Sequence, residues 1–98
     1  MTRYAIDEIK NFLANETNKT LKMIQFGKEV DTSNRIIIDM AIKDIRRLSI
    51  LSNRRIEDYR KNNRIVIEDV EKINDYTDSC IRAIFNRLRE WYYEQKRI

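Results

Sequence analysis

Apolar residues recur three and four positions apart along nearly the whole chain, and that spacing predicts helices. Residues 3–14 carry Ile6, Ile9, Phe12 and Leu13 on one face. Thr2 stands in an N-cap position, and Asp7 and Glu8 follow in the early turns, where the helix dipole favours acids. Residues 15–18 are polar and either break this helix or merely weaken it. Leu21, Ile24 and Phe26 predict a second short apolar helix, ending at Gly27 in a C′ role. The pattern leaves open whether the two are continuous.

Residues 32–61 contain neither Gly nor Pro and predict one long helix, with Asp31 placed to cap it. Ile38, Ala41, Ile42, Ile45, Leu48, Ser52, Ile56 and Tyr59 form its stripe, widened by Ile37, Met40 and Leu51. Arg46, Arg47, Arg54, Arg55 and Arg60 lie off it. A helix of about 30 residues runs roughly 45 Å, longer than a compact domain of this size is wide. The stripe therefore predicts cover from a partner chain. Asn62 and Asn63 end the helix with residues tolerant of turn conformations. Ile65, Val66 and Ile67 form a short β-branched run suited to extended backbone. Glu68 and Asp69 open a further helix. Its apolar repeat runs through Val70, Ile73, Thr77, Cys80, Ile81, Ile84 and Leu88 to Trp91. It is either unbroken from about Asp69 to Lys96 or bent near residues 77–79.

Composition narrows the class. The 98 residues make one domain, and one Gly with no Pro in a chain rich in Ile, Leu, Lys, Arg and Glu indicates an all-α fold. A hydrophobic share of 42% argues against global disorder. The apolar runs are too short to span a bilayer, and no signal-peptide pattern opens the chain. A lone Cys80 excludes an internal disulfide framework and suits a reducing cytoplasm. The chain has no His, and one Cys and one Gly cannot build a zinc site or a phosphate-cradling loop. Its carboxylates scatter along helices beside Lys and Arg, as on solvated faces. These features point away from an enzyme, and no catalytic residue, metal or cofactor is expected.

The net charge of +4 is unevenly spread. Residues 32–64 carry nine Lys or Arg against four Asp or Glu, residues 65–78 one against five, and residues 79–98 five against two. A basic middle and a basic tail flank an acidic block.

The order of elements resembles the histone fold: short helix, loop, long helix, loop, short helix. Val30 before the long helix, Arg35 just inside it, and Ile65, Glu68, Asp69 and Val70 after the second loop fall on the archaeal histone pattern without a gap. The family's second-loop Arg-x-Thr falls here on Asn62, Asn63 and Arg64. Arg64 would then reach Asp69 from a shifted position. The similarity covers about residues 21–76. It implies one histone-fold domain with a core of about residues 20–77, plus added helices at residues 3–14 and 79–97. Such additions resemble histone-fold subunits of larger complexes more than minimal archaeal histones.

The resemblance implies a homo- or heterodimer, with Ile38, Ile42, Ile45 and Leu48 in the dimer interface. It implies that Lys28, Lys61 and Arg64, in the two loops, meet the backbone of double-stranded DNA. Trp91, Tyr92 and Tyr93 beside Arg89 and Arg97 form a candidate partner-binding patch, since interfaces favour Tyr, Trp and Arg. The leading expectation is a non-catalytic, nucleoid-associated cytoplasmic subunit of a DNA-handling complex, such as an accessory subunit of a B-family DNA polymerase. Two other classes stand beside it. One is a chromatin or transcription protein that binds phosphates without sequence preference. The other is a helical structural or viral protein.

Overall fold

The computed structural model describes residues 2–30 and 34–96. It is all-helical, with α1 at Thr2–Glu29, α2 at Asn34–Lys61 and α3 at Ile67–Lys96. The helices hold 28, 28 and 30 residues. Each therefore runs about 42–45 Å, and together they form a rod of 53 × 16 × 16 Å.

Cross-helix contacts fix the topology. From α1 to α2, Thr20 meets Asp44, Glu16 meets Arg47 and Glu8 meets Tyr59, so the two run antiparallel. From α1 to α3, Lys10 meets Tyr76, Gln25 meets Arg87 and Lys28 meets Glu94, so these run parallel. The chain goes up, down and up, and each helix packs on both others.

The two N-terminal segments, whose continuity the pattern left open, form one helix. Its core face is Ile9, Leu13, Thr17, Thr20, Ile24 and Gly27, all buried. The polar stretch does not break it, because the Thr17 hydroxyl donates to the Leu13 carbonyl at 2.7 Å and needs no partner outside its own helix. Gly27 is not a C′ residue. The helix continues to Glu29, no described glycine has positive φ, and Gly27 occupies a core position. Phe26 turns outward, 62% exposed. The Asp31 cap lies outside the described residues.

The long central helix is observed, but its neighbours are as long as it is. That departs from the short–long–short proportions expected of a histone-like protomer. It also changes where the α2 stripe is covered. Ile37, Ala41, Leu48, Ser52, Ile56 and Tyr59 are buried within the chain, and Ile38 and Ile45 pack half-buried against the same core. The flanking segments, merged into α1 and α3, supply the cover that a partner was expected to give. Met40 stays 45% exposed.

The α2 terminus closes as the Asn pair predicts. Asn63 takes φ 54°, its N–H bonds the Arg60 carbonyl at 3.1 Å, and the Arg64 N–H bonds the Tyr59 carbonyl at 2.9 Å. This is a Schellman arrangement with Asn in the left-handed position. Ile65 plugs the bottom of the core, and α3 begins at Ile67 with Glu68 and Asp69 in its first turn. The last helix runs unbroken past residues 77–79. Inside the rod, Thr77 donates to the Ile73 carbonyl at 2.8 Å, so Ser52, 2.9 Å from the Thr77 oxygen, donates to it. That buried pair fixes the register of α2 against α3.

Candidate partner-binding groove

Three helices in a rod form three grooves, and the sequence treats them differently. The α1/α2 groove is crossed by Thr20 to Asp44 at 2.8 Å, Arg47 to Glu16 at 3.8 Å and the Arg55 guanidinium over Phe12 at 4.1 Å. Its lower end is closed by Tyr59, which donates to Glu8, and by Arg64, 3.9 Å from Glu8 and 4.6 Å above the Tyr59 ring. The α1/α3 groove is crossed by Lys10 over Tyr76, by Arg87 to Gln25 and by Lys28 to Glu94.

The α2/α3 groove is built otherwise. Among the described residues no ion pair joins these helices, and the Ser52–Thr77 pair lies in the interior. Its rim is apolar. Ile38, Ile42 and Ile45 follow one line along α2, and Ile81, Phe85, Leu88 and Tyr92 follow one line along α3. Phe85 is 52% exposed, Tyr92 39% and Ile42 38%. Ile38, Phe85, Asn86, Leu88, Arg89 and Tyr92 line an open hollow of about 420 Å³. Arginines flank this strip: Arg35 and Arg46 stand seven before and four after Ile42 on α2, and Arg82 and Arg89 stand three before and four after Phe85 on α3. All four are exposed, and none enters an ion pair among the described residues. Asp39 and Asp78 are the acids interleaved with them.

The residues singled out in the sequence distribute over this frame. Arg89 and Tyr92 line the groove, and Tyr93 is exposed beside Tyr92, edge-to-face at 5.9 Å between ring centres. Trp91 is not part of a docking patch. It is 2% exposed and belongs to the core, because its position on α3 continues the line of Ile84 and Cys80. Arg97 lies outside the described residues. Ile38 lines the hollow and Ile42 and Ile45 continue its line along α2, whereas Leu48 is sealed in the core.

Lys28 sits at the end of α1 and is paired with Glu94. Lys61 and Arg64 lie at the opposite end of the 53 Å rod. One chain therefore does not bring the three cations together. Arg64 faces Glu8 and Tyr59 rather than Asp69. Phe85, Ile81 and Leu88 were not singled out as site residues. The available signal was that Phe85 sits one position off the core line of Ile84, so a large apolar side chain there must face outward.

The hydrogen bond from Tyr59 to Glu8, with burial behind it, pushes the Tyr59 phenol above its ordinary value of 10.0. Burial, then contact with Cys80, does the same to Tyr76. Both phenols stay protonated at neutral pH. Among the described residues no cluster of three acids or thiols is placed to hold a metal ion, and no helix is long and apolar enough to cross a membrane. Comparison with protein-family models, curated proteins and solved structures finds no match to this chain.

Proposed function

We propose that this chain is a non-catalytic helical subunit of a DNA-handling assembly, docking on another protein through the α2/α3 groove. The observation that carries the reading is the asymmetry of the bundle. Two grooves are closed by polar crossings, and the third presents an apolar strip between arginines that enter no ion pair among the described residues. Natural monomers rarely leave such strips without a use. The DNA-handling setting is supported by the basic middle and tail of the chain and by the archaeal histone-like spacing around α2. A polymerase accessory subunit at the nucleoid fits that setting.

The histone-like handshake dimer is the second arrangement in view. It is favoured by the half-exposed Ile42 and disfavoured by the near-equal helices, which bury Leu48 and Ile37 within one chain. Direct phosphate binding through Lys28, Lys61 and Arg64 has less support, since Lys28 and Arg64 already face Glu94 and Glu8. The test is affinity capture of the tagged full chain from its native source after nuclease treatment, with mass spectrometry, beside a salt titration of its binding to free duplex. The reading expects a protein partner retained without nucleic acid and weak free-duplex binding. A chain that retains no protein and binds duplex with a steep salt dependence is a phosphate-binding protein instead.

A further inference from the structure

Resting on that reading, the geometry points to one occupant for the α2/α3 groove: an acidic amphipathic helix of about three turns, contributed by another protein. The apolar strip sets the length. From Ile81 to Tyr92 it spans eleven residues of rise, roughly 16 Å, which three turns of a partner helix match. Its position sets the form. A helix laid there completes a four-helix bundle, packing apolar side chains at i, i+3 or i+4, and i+7 against Phe85, Leu88 and Ile42.

Charge selects the occupant. Arg35 and Arg46 stand along one bank and Arg82 and Arg89 along the other, without ion-pair partners among the described residues, against Asp39 and Asp78. A helix with Asp and Glu beside its apolar anchors meets these guanidiniums, while a basic one is repelled. A second copy of this chain would set one arginine-flanked strip against another and bring like charges together. Duplex DNA would answer the arginines but would leave the floor of Phe85, Leu88 and Ile38 facing phosphate and sugar.

The deciding experiment is a selection on the full chain from a displayed library of helical peptides about four turns long. Leu is fixed at the anchor spacing, and the flanking positions vary among Asp, Glu, Ser, Lys and Arg. The expected binders are enriched in Asp and Glu at the flanks and weaken roughly ten-fold or more on Phe85→Glu. The double variant Arg82→Glu/Arg89→Glu should select Lys and Arg from the same library. These three positions are exposed, so circular dichroism should show unchanged helicity.

Absence of binders, absence of flank preference, or equal binding to Phe85→Glu overturns the proposal. So does displacement of the selected peptides by duplex DNA. A wild-type dimer abolished by Phe85→Glu in sedimentation would make a second copy the occupant. The two readings fail separately. A native partner that binds Phe85→Glu as well as wild type removes the groove assignment and leaves the subunit reading intact. A chain that captures no protein removes the subunit reading while the peptide selection still judges the groove.

Discussion

Trp91→Ala should be among the most damaging single changes in this protein. Trp91 is 2% exposed near the end of α3 and seals the core beside Ile84. A buried aromatic side chain of this kind removes about 150–250 Å² from water. At about 25 cal/mol per Å² that is about 4–6 kcal/mol, and measured aromatic truncations in cores cost about 3–5 kcal/mol. A domain of this size has about 5–15 kcal/mol in total, so the variant should be marginal. The expected fall in Tm is at least roughly 12 °C, taking about 4 °C per kcal/mol as the lower bound.

Trp91→Phe should cost far less. Among the described residues the buried indole N–H has no hydrogen-bond partner, and removing an unpaired buried donor recovers about 1–3 kcal/mol against the lost area. Tyr93→Ala, two residues on and 55% exposed, should change stability by about 0.5 kcal/mol or less. Truncation after Glu90 should behave as Trp91→Ala does or worse. Thermal melts followed by circular dichroism rank the four variants. The sole Trp also reports directly, since its emission should be that of a buried indole and shift to the water-exposed value on melting. A melt of Trp91→Ala within a few degrees of wild type would refute the placement of this residue in the core.

The other predictions concern single contacts. Asn63→Gly should stabilise by about 0.5–1 kcal/mol, because φ 54° costs a residue with a Cβ and costs Gly nothing; a urea midpoint that falls would contradict the left-handed cap. Thr77→Val should cost about 1–2 kcal/mol by stranding the Ser52 hydroxyl, and adding Ser52→Ala should recover part of that loss, which a double-mutant cycle measures. Tyr59 and Tyr76 hold their protons more tightly folded than unfolded, so their contribution is complete below the ordinary value of 10.0 and is lost as pH rises through the higher folded values. Melts on the alkaline side of that value should therefore fall, and Tyr59→Phe/Tyr76→Phe should flatten the fall; a double variant with the same alkaline profile would assign it elsewhere.

Much of the fold was legible because burial follows period. The α2 line through Ala41, Leu48, Ser52, Ile56 and Tyr59 and the α3 line through Ile73, Thr77, Cys80, Ile84 and Trp91 are both buried as the spacing requires. What misled was residue class. Thr17 and Thr20 occupy a buried face as polar letters, and only the Thr17 bond to Leu13 shows why that face is not interrupted. The polar stretch at residues 15–18 left the continuity of α1 open, and without a full-length α1 beside it α2 looked too long for one chain.

Three adjacent aromatics misled in the same way. Successive residues turn by about 100° around a helix, so Trp91, Tyr92 and Tyr93 cannot share one surface, and only the first continues the core line. The groove was half legible. Ile38, Ile42 and Ile45 were marked for an interface and Arg89 and Tyr92 for a partner, and the structure places them on the two banks of one groove. Their juxtaposition depends on the antiparallel register set by Ser52 and Thr77, which no local pattern encodes.

The most direct test compares capture by three full-length baits from the same nuclease-treated native extract: wild type, Ile42→Glu/Phe85→Glu, and Ile50→Glu. Ile50 is 52% exposed on the outer face of α2 and controls for charge placed on an apolar surface. Quantified against isotope-labelled standards, the partner held by wild type should be held equally by Ile50→Glu and lost by the groove variant, with all three baits equally helical. Equal recovery on the groove variant, or loss on Ile50→Glu instead, would contradict the assignment of partner binding to the α2/α3 groove.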